Sequence, residues 1–480
     1  MNKLIQKALY VITLMTIGVI AIGGKQIHAA GPTGGNTYLP IVLSPYTQSN
    51  KPTINIPYLA VNDLAASKLN EMSIFWFGQV RTDTNYADVR MGYNDQSLWI
   101  YMAAFDRLLW YNGSSNGSGL ESWDAVTVVL NLDGNTQPTL PQNQSYRFIS
   151  QLRWSEGSTN YQKAYRGNGS TWNAQNIAFT TTSGWRGLVV NDNTDDRGWA
   201  MTFQIPYSSL GLTGKPANGT TWRLGVMLHD RDSAAGPALA DQVWPANMNV
   251  LSPATWGYLR YGMPVYSPPA VTNPQVTTVR DKLNGQVVAD VSAGGGTICG
   301  GDGVDYFAQW GSFNYAGQAY FNIQNQVDIA DWPCFSKYFV TFPLSQIPAG
   351  KVITSAKLSI YEFGGSKPDE AKPSLIQVMM VAGDWSETSL TWNNAPAYVE
   401  NFAQRWVNVY TTNPPIWPGA KNEWDVSRAA AIAYQQGTPL RLVLYSADTD
   451  YHSGKYFVSS ETGDWNAGGR PTLVVEWGTP

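Results

Sequence analysis

The chain has 480 residues, 31 of them lysine or arginine and 35 aspartate or glutamate, so its net charge is −4. This acidic balance provides no electrostatic surface for DNA or RNA, and we expect no nucleic-acid partner. Two cysteines and three histidines are too few for a cysteine-rich zinc site, and the 20 tryptophans and 26 tyrosines argue against a disordered chain.

The N-terminus, residues 1–30, is typical of a secretory signal peptide. Two lysines precede the apolar run of residues 8–24, and Ala29 and Ala30 supply the small residues that a signal peptidase requires. We expect cleavage after one of these alanines, a secreted or cell-surface protein, and no membrane contact once the leader is removed. The alternative is an uncleaved anchor, because the apolar run is at the short limit for crossing a bilayer.

Two segments rich in turn-forming residues divide the rest of the chain. Residues 31–51 are rich in glycine, proline, serine and asparagine and predict a flexible tether. Residues 263–276 contain four prolines and predict a semi-rigid linker. We therefore expect one domain at residues 52–262 and a second at residues 277–480.

Both expected domains consist mainly of predicted strands. Short runs of apolar, β-branched and aromatic residues alternate with turn signals, for example at residues 97–105, 125–132, 222–228, 356–361, 440–445 and 471–477. Helix is predicted at residues 425–436, followed by Gly437, and more weakly at residues 62–70. The sequence thus predicts an all-β protein of two tandem β-sandwich domains, jelly-roll-like, joined by the proline-rich linker.

Both cysteines, Cys299 and Cys334, lie in the C-terminal half. Since an exported protein folds in an oxidising compartment, we expect them to form a disulfide that closes a glycine-rich loop. Two buried free thiols are the alternative.

The sequence contains no recognisable catalytic motif. Residues 113–117 (GSSNG) match the Gly-x-Ser-x-Gly pattern of hydrolases, but they lie in a polar loop rather than between a strand and a helix. Neither His229 nor His452 has a recognisable triad partner. We predict that the protein is not an enzyme. A carboxylate pair for sugar cleavage stays an open alternative, because its separation is a three-dimensional quantity.

Acidic loops raise the question of a metal ion. They occur at residues 191–196, 230–232, 302–305 and 448–450. Outside the cell, Ca²⁺ is the natural cation for such oxygen ligands. We expect no required cofactor other than a structural calcium in the N-terminal domain, with Asp192, Asp195 and Asp196 as candidate ligands. Solvated turns are the alternative.

Tryptophan is the strongest compositional signal. Ten tryptophans lie beside glycine, asparagine or serine where strands end: Trp110, Trp123, Trp154, Trp172, Trp185, Trp244, Trp310, Trp332, Trp417 and Trp465. Core packing accounts for most tryptophans in a β-sandwich. An indole exposed among amide and hydroxyl groups, however, suits the apolar face of a pyranose ring, and we expect a few of the ten to be such platforms.

Residues 52–262 resemble a family 9 carbohydrate-binding module. The similarity rests on short motifs across the domain: YADVRMGY at 86–93, LWIY at 98–101, WDAVTVVL at 123–130, GWAMTFQIP at 198–206 and PATWGYL at 253–259. The resemblance implies a β-sandwich, often calcium-bearing, that binds the ends of plant-type polysaccharides.

Better-known members of that family clamp a sugar between two tryptophans. The matching positions here hold Glu121 and Val250, so the clamp is not present as such. Trp110, Trp123 and Trp244 lie nearby in the sequence and are the candidates to replace it.

Residues 277–480 resemble a DNRLRE-type domain, related to family 96 carbohydrate-binding modules. The motifs are YFVTFPLSQIPAG at 338–350, SAKLSIY at 355–361, WSETSLTWNNAP at 385–396, WDVS at 424–427, FVSSE at 457–461 and RPTL at 470–473. The resemblance implies a jelly-roll-like sandwich. Members of the family include acidic-polysaccharide binders and cell-surface modules.

Together, these features predict a secreted, non-catalytic protein that binds extracellular polysaccharide through exposed aromatic side chains. The first alternative is a structural protein of the cell surface or matrix. The second, ranked last, is an accessory module of polysaccharide hydrolysis. Oligomeric state and the identity of the glycan are left open by the sequence.

Overall fold

The computed structural model describes residues 51–153, 159–295, 305–327 and 334–480. The expected leader and nearly all of the tether lie outside these residues, as do Trp154, Trp332 and Cys299. The disulfide between Cys299 and Cys334 therefore stays a prediction. Within the described residues, no helix has both the length and the apolar character needed to cross a membrane.

Strands dominate the described residues, as predicted. In chain order they are β1 (Thr53–Ile56), β2 (Ser73–Gly78), β3 (Tyr86–Tyr93), β4 (Ser97–Phe105), β5 (Ala125–Asn131), β6 (Ser145–Gln151), β7 (Gln162–Gly167), β8 (Trp172–Gln175), β9 (Thr180–Arg186), β10 (Gly198–Pro206), β11 (Thr221–His229), β12 (Gln242–Trp244), β13 (Gly257–Tyr261), β14 (Thr272–Arg280), β15 (Ala289–Ala293), β16 (Tyr320–Ile323), β17 (Lys337–Phe342), β18 (Val352–Gly365), β19 (Ser374–Val381), β20 (Tyr398–Val407), β21 (Ala420–Asp425), β22 (Leu440–Ser446), β23 (Lys455–Val458) and β24 (Thr472–Thr479).

Two α-helices occur in the described residues. The predicted C-terminal helix is confirmed as Ser427–Gln436, and Gly437 ends it in the left-handed conformation with φ of 66°. The weaker prediction at residues 62–70 corresponds to a four-residue helix, Leu64–Ser67, where Asp63 Oδ1 accepts a hydrogen bond from the Ala66 amide.

The strands form a sandwich in each half of the chain. In the N-terminal half, the sheet β1-β13-β11-β5-β6-β7-β8 shares a core with the sheet β2-β3-β4-β10-β9. In the C-terminal half, the sheet β15-β17-β22-β19-β20 shares a second core with β14-β24-β18-β23-β16, onto which β21 adds. The all-β sandwich architecture expected from the sequence is confirmed.

The two halves share one sheet. Strand β1 pairs in parallel with β13 on one side and with β20 on the other, where Thr53 lies opposite Glu400, so a 13-stranded sheet runs through both halves. Beside this junction, the Asn55 amide donates to Asn401 Oδ1 at 2.8 Å, and Asn401 Nδ2 donates to the Asn55 carbonyl at 2.8 Å. Strand β14 begins within the segment expected to be a linker.

A second contact between the halves buries the central strands β3 and β4, all of whose residues are buried. Arg90 on β3 donates to Asn325 Oδ1 at 3.0 Å and to the Ala447 carbonyl at 3.2 Å. Asp88, on the same face, accepts from Asn325 Nδ2 at 3.0 Å and from Tyr445 OH at 2.8 Å. The C-terminal half thus provides hydrogen bonds for charged groups of the N-terminal half.

Lys337 on β17 is buried at the same contact. Its ammonium group donates to Tyr86 OH and lies 3.7 Å from the ring centroid of Trp392 and 3.9 Å from that of Trp76. Burial lowers the pKa of Lys337 well below its usual value, and the Asp88 charge only partly opposes this. Aromatic faces from both halves therefore stabilise one cation between them.

Candidate functional site

Five aromatic side chains form a continuous cluster on the C-terminal half. We call this cluster the aromatic platform; it consists of Tyr320, Phe363, Trp417, Tyr456 and Trp465. The Tyr320 ring lies 4.7 Å from Phe363 and 5.8 Å from Trp417, and the Phe363 ring lies 5.2 Å from Trp417 and 6.4 Å from Tyr456. These distances are typical of packed aromatic pairs.

Three strands and two loops carry the platform. Tyr320, Phe363 and Tyr456 lie on the adjacent strands β16, β18 and β23, with Gly364 opposite Tyr456. Trp417 is in the loop of residues 408–419, between β20 and β21, and Trp465 is in the loop after β23. The strand residues form a half-buried floor on which the loop tryptophans rest.

The two loop indoles meet at a right angle and remain exposed to solvent. Their ring centroids are 5.2 Å apart and their planes are inclined by 88°. Trp465 is 64% exposed and Trp417 is 36% exposed, and the neighbouring Ile416 is 70% exposed. Exposed aromatic area of this extent is uncommon unless a ligand covers it.

Glycine fixes the end of the Trp417 loop. Gly419 has φ of +106°, and a Cβ atom there would lie 2.2 Å from the Glu362 carbonyl oxygen. The loop backbone can approach β18 this closely because glycine has no side chain. Pro418, which follows a cis peptide bond, lies near Gly469 of the second loop. Both tryptophan loops are thereby held against one another.

Polar groups surround the platform. Asp464, next to Trp465, accepts a hydrogen bond from Arg470 at 2.6 Å. This hydrogen bond and the positive charges of Arg470 and Lys282 lower the pKa of Asp464. Beneath the Trp417 loop, burial raises the pKa of Glu362 to about 7, and Lys455 partly opposes this. The platform thus combines apolar ring faces with one exposed carboxylate, that of Asp464, at its edge.

The three tryptophans proposed from the sequence are less exposed. Trp244 is only 4% exposed and packs 4.4 Å from the Phe75 ring in the core. Trp110 and Trp123 are half-buried, and the Arg231 guanidinium lies 4.5 Å from the Trp123 ring centroid. Ligand binding by these residues stays a prediction. Within the larger set of ten, the structure exposes Trp417 and Trp465.

A cleft of about 610 Å³ lies at the end of β1, lined by Tyr58, Tyr93 and Lys215 among others. The Lys215 ammonium lies 4.0 Å from the Tyr58 ring centroid and pairs with Asp95, to which Tyr58 OH also donates. The protein's own lysine therefore covers a face of the exposed tyrosine, unlike the open indoles of the platform.

Three buried carboxylates meet at one end of the N-terminal sandwich. Asp106 follows β4, Asp124 precedes β5 and Asp230 follows β11, and one carboxylate oxygen from each lies within 4.8 Å of the others. Asp124 accepts hydrogen bonds from the amides of Trp110 and Arg231, at 2.6 and 3.0 Å.

The cluster lacks positive charge. Within the described residues no ion pair joins any of its members to a basic side chain, and Asp230 Oδ1 has no hydrogen-bond partner there. Burial, followed by repulsion from neighbouring acids, raises the pKa values of Asp106 and Asp124 well above the usual range. Burial and the nearby Asp232 raise the pKa of Asp230 to about 7. Three oxygen donors and an unpaired buried oxygen fit a hard cation such as Ca²⁺.

The calcium ligands expected from the sequence do not converge in the same way. Asp195 pairs with Arg107 at 2.7 Å, and Asp192 Oδ1 accepts hydrogen bonds from Thr194. Asp196 is buried; its Oδ1 atom accepts from the Leu188 amide at 2.9 Å, and its Oδ2 atom has no hydrogen-bond partner among the described residues. Each of the three carboxylates has a local partner for one oxygen, and the structure does not bring the three together.

A second group of acids, Asp290, Glu387 and Glu461, lies in the C-terminal half. Burial raises the pKa of Asp290 to about 6, although Tyr338 and Ser460 donate hydrogen bonds to it. Burial and the neighbouring acids raise the pKa of Glu387 to about 7. Among the described residues, this group is the candidate for the catalytic carboxylate pair that the sequence left open.

The platform lies within a stretch of sequence that is similar to a known protein family. Residues 308–476 match the profile of carbohydrate-binding module family 96, which confirms the resemblance expected for the C-terminal half. These residues include every member of the platform. No curated protein matches the chain.

The similar solved structures include two family 9 carbohydrate-binding modules from Caldicellulosiruptor kristjanssonii. One, in complex with cellotriose, has 16% identity and a TM-score of 0.32, and covers 44% of this chain and 93% of its own. The other, in complex with glucose, has 18% identity and a TM-score of 0.32, with 45% and 100% covered. A third structure, of a protein from Bacteroides uniformis described as a candidate carbohydrate-binding protein, has 11% identity and a TM-score of 0.35, with 44% and 99% covered.

Proposed function

We propose that the protein is a non-catalytic carbohydrate-binding protein that attaches to extracellular polysaccharide through the aromatic platform. One observation carries the proposal: two exposed indoles meet at a right angle on an aromatic floor, within the residues that match family 96. Ring faces of this kind stack on the apolar face of a pyranose, while polar groups at the edge bond its hydroxyls.

The proposed location is outside the cell, as a secreted or surface-attached protein. The leader-like residues 1–30 support export. Export also fits an extracellular polysaccharide as the partner and an acidic chain that does not bind nucleic acid.

Retention on insoluble polysaccharide tests the proposal. The full chain is incubated with cellulose, xylan, mannan, alginate and pectin, and depletion from solution is measured. A variant with both Trp417→Ala and Trp465→Ala should lose retention on the glycan that the wild type binds. Trp406→Ala is the matched control, since Trp406 on β20 is 40% exposed and lies outside the platform. Equal retention of all variants, or no retention of the wild type on any glycan, contradicts the proposal.

A structural role is the second candidate function. It is favoured by the continuous 13-stranded sheet, which makes the described part of the chain a single compact body rather than two separate modules. Recovery of the protein in sheared surface layers, together with failure to bind every polysaccharide tested, would favour this role over glycan binding.

The non-catalytic part of the proposal has its own assay. Release of reducing ends from the polysaccharides above should be absent for the wild type. If sugar is released, and the Glu387→Gln variant releases none, then the acidic group of Asp290, Glu387 and Glu461 is catalytic and the protein is an enzyme.

We also propose a structural calcium ion, held by Asp106, Asp124 and Asp230. Convergence of one oxygen from each carboxylate within 4.8 Å supports these ligands in preference to Asp192, Asp195 and Asp196, which do not form such a group. Bound there, the ion would neutralise three carboxylates at the ends of three strands and so stabilise the N-terminal sandwich.

A further inference from the structure

A buried glutamate lies directly beneath the loop that carries Trp417. Glu362 on β18 is 2% exposed. Its Oε1 atom accepts a hydrogen bond from the Tyr410 amide at 3.2 Å, and its Oε2 atom accepts one from Asn422 Nδ2 at 3.4 Å. One carboxylate therefore ties β18 both to the start of the 408–419 loop and to the strand that follows the loop.

The contact continues from Tyr410 to the platform. Tyr410 OH accepts a hydrogen bond from the Ile416 amide at 3.0 Å, and Ile416 immediately precedes Trp417. At the far end of the loop, Gly419 packs against the carbonyl of Glu362 itself. Both ends of the loop are thus attached to the same residue of β18, and its middle is attached through Tyr410.

We propose that Glu362 is a positioning residue for glycan binding: its carboxylate holds the 408–419 loop in the conformation that presents the Trp417 ring. The inference rests on the proposed function of the platform. Glu362 itself does not touch the ligand, because it is covered by the loop that it orders.

The charged surroundings of Glu362 define how this hold responds to pH. From β23, Lys455 attracts the carboxylate. Lys455 also donates to Ser374 Oγ at 3.2 Å, and Asp448 in turn accepts from Ser374 at 3.0 Å. Tyr410 and Asn422, which face Glu362 from the loop and from β21, are neutral donors.

Burial raises the pKa of Glu362 to about 7, so its charge changes in the neutral range. Opening the loop would return the Glu362 carboxylate to water, where its pKa is nearer the usual value, so the closed loop keeps a proton that the open loop releases. The hold on the loop therefore weakens as the pH rises through 7, and it strengthens as Glu362 takes up a proton below that value.

Hydrogen exchange of the ligand-free full chain tests this directly. We would compare the wild type, Glu362→Gln and Glu362→Ala between pH 5.5 and 8.5, with exchange rates corrected for the intrinsic effect of pH. In the wild type, protection of the peptide covering residues 408–419 should fall about tenfold from pH 6 to pH 8, the loss expected when the closed loop must give up the proton that a pKa of about 7 retains. Glu362→Gln keeps an acceptor oxygen but cannot ionise, so its protection should not change with pH.

Glu362→Ala should lower protection of residues 408–419 about tenfold at pH 6, and its protection should not change between pH 6 and pH 8, while β17 and β22 stay protected. Glu400→Gln is the control, because it changes a buried glutamate on β20 that does not contact the loop. Affinity for the glycan retained by the wild type should follow the same pH profile.

The proposal is overturned if Glu362→Gln retains the wild-type pH dependence, or if a folded Glu362→Ala protein keeps wild-type protection. Should the alanine variant not fold, the glutamine variant decides alone. Failure of glycan binding with intact exchange behaviour would refute the proposed function and leave this positioning role supported.

Discussion

Replacing Trp465 with alanine removes the more exposed ring of the platform and disturbs little else. The side chain is 64% exposed, so the folded protein gains little from packing it. A ligand stacked on the ring, in contrast, would lose its apolar contact completely. Trp465→Ala should therefore weaken glycan binding while leaving the thermal unfolding temperature almost unchanged.

The size of the effect follows from the exposed area. An indole side chain has roughly 250 Å² of surface, of which the exposed share is about 160 Å². A pyranose ring on one face would cover about half of this share, roughly 80 Å². At about 25 cal/mol per Å², the lost contact is worth ~2 kcal/mol, or a dissociation constant about thirtyfold higher.

Isothermal titration calorimetry with soluble fragments of the retained glycan measures this difference. Trp406→Ala again serves as the control, since it removes an indole ring on β20 that is 40% exposed and lies outside the platform. If Trp465→Ala binds as tightly as the wild type, or if the control loses as much affinity, then stacking on the platform does not account for binding.

Further consequences can be measured on the full chain. Calcium at 1 mM should raise the unfolding temperature by about 4 °C, and Asp124→Asn should abolish the increase. When a chelator has removed calcium, the free energy of unfolding should fall as the pH rises from about 4 to about 7. The pKa of Asp230 is raised in the folded state, which therefore keeps a proton that the unfolded chain releases. Asn401→Ala should lower the free energy of unfolding in urea by about 3 kcal/mol, since it leaves polar groups of Asn55 unpaired at the junction of the halves. Gly419→Ala should weaken glycan binding about tenfold through the clash with β18, whereas Gly468→Ala, where a Cβ atom meets open space, should not.

Much of the local structure was predictable because it depends on short-range pattern. The predicted strand at residues 97–105 coincides with β4, and the predicted helix at 425–436 matches Ser427–Gln436 within two residues. Alternation of apolar and polar residues specified which side of a strand faces the core, for example Leu358 inward and Lys357 outward on β18.

The burial of the central sheet was not predictable in this way. In β3, Asp88 and Arg90 alternate with apolar residues, which is typical of a strand with one face in water. Both charged residues are instead buried, because the C-terminal half covers that face and supplies Asn325 and Tyr445 as partners. Those partners lie more than 200 residues away in sequence, so no local sequence pattern predicts them.

The candidate sites were not predicted from the sequence for the same reason. Asp106, Asp124 and Asp230 stand singly at three strand ends, whereas the sequence drew attention to acids that are adjacent in one loop. The platform combines Trp417 and Trp465, each recognisable as a strand-end tryptophan, with strand residues that only the sheet brings beneath them. Convergence of distant segments is a property of the fold.

The junction at β1 has a consequence for how such a protein can be rearranged during evolution or engineering. Because β1 is hydrogen-bonded to strands of both halves, separating the halves near residue 263 would expose an unpaired sheet edge together with the apolar residues of β3 and β4 that the C-terminal half now covers. Either half expressed alone should therefore aggregate, so both must be transferred together in engineering.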